Sequence, residues 1–451
     1  MGTVPDKANP TIAAIASPAG TGAVSMIRIS GPRAVEIADL ATDGRVSRQE
    51  PRAARHCCVR DADGLVVDDG LLTVFPAPRS YTGEETVEFT GHGGILVTRE
   101  VLQRFLACGA TSASPGEFTR RAFLNGRLDL TQAEGVMDLI SAQTRLALRA
   151  ARSQMEGRLG QRTAAARDAL LETLAHIEAW IDFPEEDIDP HTGSRLRDEL
   201  DSVVRSIDGL LATADQGRIL REGVRTVLFG APNVGKSSLL NRLLGFERAI
   251  VSATAGTTRD TIEETINLGG IPLRLVDTAG VRDASDSIEA EGILRTTRQI
   301  EAADLLIEVV DASEAPRQSA APDSGTPRVL VLNKADLATH PGWAGVEAVR
   351  LSCATGSGFD DLSDEIHRVL QLTEADWGDH AVAINARHQE SLEAARRHLR
   401  AAMVQLADAG DHPELAAIDI REALDSLGEI PGKVDTEDLL GVIFSRFCIG
   451  K

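Results

Sequence analysis

The stretch GAPNVGKS, residues 230–237, decides the fold of the central part of this chain. It follows the apolar run VRTVLFG and opens the helical run SSLLNRLL. Glycines in a strand–loop–helix context let backbone N–H groups surround phosphates, while Lys236 reaches the β- and γ-phosphates and the Ser237 hydroxyl binds Mg²⁺. The stretch therefore predicts a phosphate-binding loop at the end of a buried strand.

Two later motifs identify the nucleotide. DTAG, residues 277–280, ends a second apolar run, and NKAD, residues 333–336, ends a third, in the order found in GTPases. A carboxylate at Asp336 accepts hydrogen bonds from both the N1–H and the 2-amino group of guanine, whereas adenine has no proton on N1. The three motifs together predict a GTP site.

The hydrolytic machinery of this site lacks one familiar part. Thr258, in GTTRD, is similar to the switch threonine that completes Mg²⁺ coordination in GTPases. The residue after DTAG is Val281, where Ras-type GTPases have a glutamine that orients the attacking water. Valine has no polar side-chain atom, so assistance to hydrolysis must come from another group.

The pattern along the chain predicts a multidomain protein, since 451 residues suffice for roughly three domains. Residues 1–118 have mixed α/β character, residues 119–216 are helical, and residues 217–375 alternate strands and helices as in a doubly wound sheet. Helical character returns in residues 376–451, which are too few for an ordinary core of their own. We therefore predict one helical domain into which the α/β domain is inserted.

Composition limits the possible partners and locations. The net charge of −21 argues against non-specific binding to nucleic acid, so any nucleic acid must bind locally or through a partner. The five cysteines form no C-x-x-C pair and no metal-ligand cluster, and they are expected to be reduced thiols. No apolar run approaches the ~18 residues of a membrane helix, and the first residues lack a signal peptide pattern. The expected location is cytoplasmic, without a membrane.

Across essentially its whole length, the sequence resembles the MnmE (TrmE) family of bacterial tRNA-modification GTPases. The resemblance rests on YTGEE, GHGG, SPGEFTRRAFLN, NVGKSSLLN, IVSATAGTTRD, DTAGVRDASDSIE, NKAD and the terminal FCIGK, which occur in family order. It implies an N-terminal α+β domain in residues 1–118 that binds folate and dimerises. It also implies a helical domain in two halves, 119–216 and 376–451, and an inserted P-loop GTPase domain in residues 217–375.

The resemblance implies a potassium-stimulated GTPase that works as a homodimer with the flavoprotein MnmG, in a heterotetramer. Together they install a carboxymethylaminomethyl or aminomethyl group at C5 of the wobble uridine in certain tRNAs. FAD belongs to the partner, and the one-carbon unit comes from 5-formyl- or methylene-tetrahydrofolate. The implied folate-binding residues are Arg28, Glu88, Arg127, where the family commonly has lysine, and Lys451, with Cys448 near the chemistry.

The resemblance also implies how the missing glutamine is replaced. A K⁺ ion held by Asn233, Ser252, Thr254 and Thr257 supplies positive charge, Glu289 positions the attacking water, and Lys236 acts on the phosphates. Mg²⁺ binds Ser237 and Thr258. The full set expected to contact GTP is Asn233, Val234, Gly235, Lys236, Ser237, Ser238, Ser252, Ala253, Thr254, Ala255, Gly256, Thr257, Thr258, Asp277, Thr278, Ala279, Gly280, Asn333, Lys334, Asp336, Ser352, Cys353 and Ala354.

Simpler interpretations stay open for single residues. Asn233 can serve only to stabilise the turn of the phosphate loop, Glu289 can be an exposed acid at a helix start, and Arg28 can be a surface cation. His92 in GHGG is interpreted as a turn residue. A ribosome-assembly GTPase is the alternative function, although such proteins usually carry a basic RNA-binding module or a second GTPase domain.

The C-terminal FCIGK has three interpretations. Its last four residues have the C-x-x-x form of a prenylation signal, but Gly450 and Lys451 replace the residues that prenylation requires. A packed tail is the serious alternative, because Phe447 and Ile449 are apolar and free cysteines are often buried. The third interpretation is that the tail completes the folate site, with the reactivity of the Cys448 thiol left open.

Overall fold

The computed structural model describes residues 9–43, 46–182, 192–245, 263–276, 299–317, 325–370, 382–406, 412–432, 437–445 and 447–450. The chain forms two compact units. The first combines Met1–Met137 with Gly428–Lys451, and the second comprises Asp138–Leu427. The two ends of the chain therefore fold together in the first unit.

The first unit contains a six-stranded sheet in the order β3-β4-β5-β2-β1-β6. Neighbouring strands are antiparallel, except that β1 and β6 are parallel. The strands are β1 Ile12–Ile15, β2 Val24–Ser30, β3 Arg55–Arg60, β4 Val66–Phe75, β5 Thr86–His92 and β6 Thr111–Ser112.

Helices α1 (Ala34–Ala41) and α2 (Ile95–Ala107) pack against one face of this sheet. Side chains alternate between the two faces of a strand, and Ile27 and Ile29 of β2 join the core beneath these helices. Arg28, between them, consequently lies on the opposite face. Helix α3 (Glu117–Leu124) contributes Phe118 to a separate apolar cluster with β1.

The sheet of the second unit has the order β12-β11-β10-β7-β9-β8 and is parallel except for the antiparallel pair β8–β9. Its strands are β7 Val224–Phe229, β8 Glu263–Leu268, β9 Ile271–Val276, β10 Leu305–Asp311, β11 Arg328–Asn333 and β12 Val349–Arg350. The first strand in chain order, β7, is central. The next two strands, β8 and β9, lie on one side of it, and β10, β11 and β12 lie on the other. The topological switch point, where ligands bind in such sheets, therefore lies beside β7.

The remaining helices mostly bury regularly spaced apolar residues. Leu170, Leu174 and Ile177 of α6, spaced by four and three residues, lie on one face of the helix and are buried. These helices are α4 Leu130–Ser141, α5 Arg145–Met155, α6 Arg158–Asp182, α7 Thr192–Leu211, α8 Ala214–Glu222, α9 Lys236–Gly245, α10 Phe359–Val369, α11 Ala386–Gln405, α12 Pro413–Glu429 and α13 Glu437–Ser445. Within the described part of the chain, none of the helices has the length and apolarity of a membrane span.

The predicted fold class is confirmed: an N-terminal α+β part, a helical part and an α/β part with a doubly wound sheet. The boundaries predicted at residues 118, 216 and 375 stay predictions. Helix α13 and the tail join the first unit because Leu440, Phe444 and Phe447 pack against Leu130 and Ala133.

Candidate functional site

The phosphate loop connects β7 to α9 in a conformation set by a few residues. Gly230 has φ +145°, and a Cβ atom there would collide with the carbonyl oxygen of Val309 in β10. Asn233 adopts the left-handed region with φ 62°. The backbone thus turns sharply between the strand end and the first helical residue, Lys236.

Lys236 lies over this loop. Its Nζ donates hydrogen bonds to the carbonyl oxygens of Gly230, at 2.9 Å, and Ala231, at 2.8 Å. Burial lowers the pKa of Lys236. The ammonium group and the N–H groups at the start of α9 together provide the positive end of a phosphate site, and exposed Ser237 follows directly in that helix.

Asn333 joins the phosphate loop to the loop that follows β12. Its Nδ2 donates to the carbonyl oxygen of Val234 at 2.9 Å, and its Oδ1 accepts from the N–H of Cys353 at 3.2 Å. The side chain is almost completely buried. Two loops that are distant in sequence are therefore fixed relative to each other by one amide group.

Lys334 is held beside Asn333 by Asp311, the last residue of β10. The backbone of Lys334 is left-handed, with φ 63°, and its Nζ lies 2.6 Å from Oδ2 of Asp311. Burial opposes ionisation of Asp311, but hydrogen bonds from Lys334 and Ser313 outweigh burial and lower the pKa of its carboxyl. This ion pair fixes the start of NKAD at the sheet edge.

Asp336 is exposed, and its Oδ1 accepts a hydrogen bond of 2.5 Å from the hydroxyl of Ser352. The Ser352 oxygen also accepts from the N–H of Thr355 at 3.2 Å. The exposed carboxylate is thus oriented by a completely buried serine, with Cys353 and exposed Ala354 next to it. This arrangement fits recognition of the guanine edge.

Described residues of three predicted motifs therefore come together at one edge of the sheet: the phosphate loop, NKAD and the loop at 352–354. Their donor groups fit a nucleotide with Mg²⁺. Thirteen predicted site residues lie outside the described part of the chain. They are Ser252, Ala253, Thr254, Ala255, Gly256, Thr257, Thr258, Asp277, Thr278, Ala279, Gly280, Glu289 and Lys451.

A second candidate site lies in the first unit, on the sheet face opposite α1 and α2. Arg28 of β2 and Glu88 of β5 are directly paired across the strands, and the Arg28 Nε lies 2.9 Å from the Glu88 Oε1. The side chains are only 12% and 20% exposed. Arg28 is thus a mostly buried, paired cation and not a surface residue.

Aromatic residues flank this pair. The Arg28 guanidinium carbon lies 5.1 Å from the ring centre of Tyr81 and 5.6 Å from that of Phe118. The Tyr81 hydroxyl lies 2.9 Å from the Thr119 hydroxyl, and burial raises the pKa of Tyr81. Sequence reasoning missed both rings, although they lie in the motifs YTGEE and SPGEFTRRAFLN.

The C-terminal tail contacts the same unit. The Cys448 carbonyl oxygen accepts a hydrogen bond of 3.3 Å from the N–H of Gly116, at the start of α3. Gly450 approaches the end of β1 so closely that a Cβ atom there would collide with the carbonyl oxygen of Ile15. Cys448 is exposed, as is Arg127, whose side chain passes beside Gly83.

His92, the last residue of β5, is bound by buried Asp68. The carboxylate accepts from the His92 ring at 2.7 Å and from its backbone N–H at 3.0 Å. The ring contact is the main cause of a raised pKa for His92. Asp68 therefore fixes His92 at the end of β5, so His92 is a strand-end residue where a turn residue was predicted.

Comparison with known proteins places the chain in one family. The model of the GTP-binding protein TrmE N-terminus matches residues 11–127, and that of the MnmE helical domain matches residues 130–448. The chain belongs to the MnmE family. Curated relatives named tRNA modification GTPase MnmE extend over 98% of the chain and 99% of their own length. The protein of Akkermansia muciniphila is 54% identical, that of Opitutus terrae 45% and that of Xanthomonas campestris 44%.

Membership of the MnmE family confirms the resemblance inferred from the motifs and the prediction of a GTPase. The assignment of individual residues to GTP, Mg²⁺, K⁺ and folate stays a prediction. Within the described residues, the hydrogen bonds of Lys236, Asn333 and Asp336 give a physical reason for assigning these three residues to the GTP site.

Proposed function

We propose that this chain is a potassium-stimulated GTPase that modifies tRNA together with a flavoprotein of the MnmG type. The pair adds a carboxymethylaminomethyl or aminomethyl group at C5 of the wobble uridine. The observation that carries the proposal is the 54% identity, over 98% of the chain, to a relative named tRNA modification GTPase MnmE. The structure adds nucleotide loops that are joined through the side chain of Asn333. Mass spectrometry of wobble uridines, described in the Discussion, tests it.

In this proposal, Lys236 and the N–H groups of the phosphate loop bind the phosphates, and Ser237 and Thr258 bind Mg²⁺. When bound, the metal neutralises charge on the phosphate oxygens. Asp336 selects guanine, and Glu289 orients the attacking water because Val281 cannot. Asn233, Ser252, Thr254 and Thr257 hold K⁺, whose charge acts where an arginine finger acts in other GTPases.

The proposed folate site uses Arg28, Glu88, Arg127 and Lys451. Its support is the state of the Arg28 guanidinium: Nε is paired with Glu88, but Nη1 is buried and has no hydrogen-bond partner among the described residues. A buried donor without an acceptor costs about 1–3 kcal/mol. A carbonyl or ring nitrogen of a tetrahydrofolate derivative bound next to the guanidinium would supply the acceptor.

The proposed setting follows from the same family membership. The protein acts in the cytoplasm as a homodimer and joins its flavoprotein partner in a heterotetramer. FAD stays in the partner, and this chain supplies the folate one-carbon unit. The ribosome-assembly alternative has no support from the relatives that match over the full length.

Deletion of residues 448–451 is expected to abolish folate binding and tRNA modification while leaving GTP hydrolysis intact. The reason is that the tail contacts Gly116 and Ile15 in the first unit, whereas the nucleotide loops lie in the second. Folate binding is measured by calorimetry with 5-formyl-tetrahydrofolate, and hydrolysis by phosphate release.

The matched control is Cys448→Ser in the full-length chain. This variant keeps Lys451 and the backbone hydrogen bond to Gly116, so folate binding is expected to persist. Its tRNA modification shows whether the thiol reacts. Full folate affinity in the truncated chain would refute a role for the tail in the site.

A further inference from the structure

The most basic part of this acidic chain is a short helical segment. Residues 145–167 contain six arginines and one glutamate, without lysine or aspartate, for a net charge of +5. The whole chain carries −21. Attraction to phosphate depends on clustered cations and not on the total charge alone, so this segment is the place where an acidic protein can contact a polyanion.

Three of the six arginines form a row on α5, called here the α5 arginine stripe: Arg145, Arg149 and Arg152. The helix begins after Thr144, whose hydroxyl oxygen accepts from the N–H of Ala147 at 3.1 Å. Spacings of four and three residues place the arginines on one helix face, about 6 Å and 4.5 Å apart along the axis. All three are exposed.

Acidic side chains do not balance this stripe. Arg145 and Arg149 form no ion pair with any described residue. Arg152 lies 3.2 Å from Glu156, but the same carboxylate also lies 3.2 Å from Arg158. Like charges at these spacings destabilise a helix by about 0.2–0.5 kcal/mol per pair. The stripe therefore destabilises α5 slightly, and a contribution to the stability of the fold does not explain its presence.

The face of α5 opposite the stripe packs against other residues of the same unit. Ala147 and Ala150 pack in a cluster with Leu220 of α8, and Leu146 lies against it. A helix that binds a membrane surface inserts its apolar face into the lipid boundary. The buried face of α5 is already packed inside its own unit, and Leu148, which is 48% exposed, is the one large apolar side chain exposed on this helix. The stripe therefore presents charge without an apolar face that could insert into lipid.

We propose that the α5 arginine stripe binds the phosphate backbone of the tRNA substrate. The inference rests on the proposed tRNA modification and adds to it the surface that contacts the nucleic acid. Guanidinium groups match phosphate oxygens with two parallel hydrogen bonds, which favours arginine at such contacts. The contacts are independent of base sequence, so they position the tRNA and leave selection of the wobble uridine to other groups.

The test compares tRNA binding by the full-length chain and by the variant Arg145→Gln/Arg149→Gln/Arg152→Gln. Glutamine has a helix propensity close to that of arginine, so α5 is retained. Fluorescence anisotropy with a labelled tRNA is measured across a range of salt concentrations. At low salt the variant is expected to bind at least about tenfold more weakly, with a salt slope reduced by about 2, because three phosphate contacts are lost.

The matched control is Arg195→Gln/Arg205→Gln/Arg421→Gln, which removes the same charge from exposed arginines paired with Glu199, Asp201 and Glu178. It is expected to keep nearly the original affinity and salt slope, and both variants are expected to hydrolyse GTP normally. An equal loss in the two variants, or no loss in the stripe variant, would overturn the inference. Stripe-dependent binding to anionic vesicles but not to tRNA would assign the surface to a membrane and would also overturn it.

The inference and the proposed function fail in different ways. If the stripe variant binds tRNA normally while a deletion strain lacks the wobble modification, the inference is wrong and the function stands. If stripe-dependent binding is found but the deletion strain keeps the modification, the function is wrong.

Discussion

GTP hydrolysis is expected to accelerate by ~10³-fold or more when Na⁺ is exchanged for K⁺ at constant ionic strength. Positive charge supplied at the γ-phosphate in the transition state is worth this much in related GTPases. In the proposed mechanism the K⁺ charge acts where an arginine finger acts in other GTPases, while Glu289 orients the attacking water that Val281 cannot orient. The measurement is the rate of phosphate release under saturating GTP in the two salts.

Asn233→Ala is expected to remove most of the K⁺ effect and to keep most of the nucleotide affinity. Asn233 sits at the left-handed turn of the phosphate loop, whereas Lys236 and the loop N–H groups hold the phosphates without it. Asn241→Ala, an exposed asparagine of α9, is the matched control and is expected to behave like the unchanged protein. Equal rates of the unchanged protein in K⁺ and Na⁺ would show that hydrolysis is assisted by another group.

Asp336→Asn is expected to weaken GTP binding by about 10²-fold. Each hydrogen bond to a charged group is worth about 1.5–3 kcal/mol, and 1.4 kcal/mol corresponds to a factor of ten. An amide cannot accept from both guanine donors, and its own N–H₂ group faces one of them. Titration with a fluorescent GDP analogue measures the change.

Xanthosine diphosphate provides the complementary measurement, because its C2 carbonyl accepts a hydrogen bond from the new amide. The variant is expected to gain affinity for it while losing affinity for GDP. Asp360→Asn, at the exposed start of α10, is the control with the same chemical change. Unchanged GDP affinity in Asp336→Asn would mean that another residue recognises guanine.

The nucleotide site was predictable from sequence because its parts lie at the ends of strongly apolar strands. The runs VRTVLFG, LLIEVVD and RVLVLN correspond to β7, β10 and β11, and each ends at the edge where the motifs meet. The link that the Asn333 side chain makes between two loops was not predictable. It joins Val234 to Cys353, and such long-range side-chain contacts leave no local pattern.

The first unit was harder to predict for two physical reasons. Strand β3, RHCCVR, contains only one β-branched residue and has three polar side chains. Its local sequence therefore does not predict a strand, and its place in the sheet depends on pairing with β4. The residues around Arg28 come from β2, the YTGEE loop and α3, so their proximity depends on tertiary packing. Similarly, the association of α13 with α4 depends on Leu440 and Phe444 reaching across more than half of the chain.

The central claim is that this GTPase modifies tRNA, and mass spectrometry of wobble uridines tests it most directly. The tRNA is taken from a strain that lacks the gene and from the same strain carrying the gene for the unchanged chain or for Asp336→Asn. The account predicts that the C5 substituent is absent in the deletion strain, restored by the unchanged chain and strongly reduced with Asp336→Asn. Identical wobble uridines in the deletion strain and its parent would contradict the account.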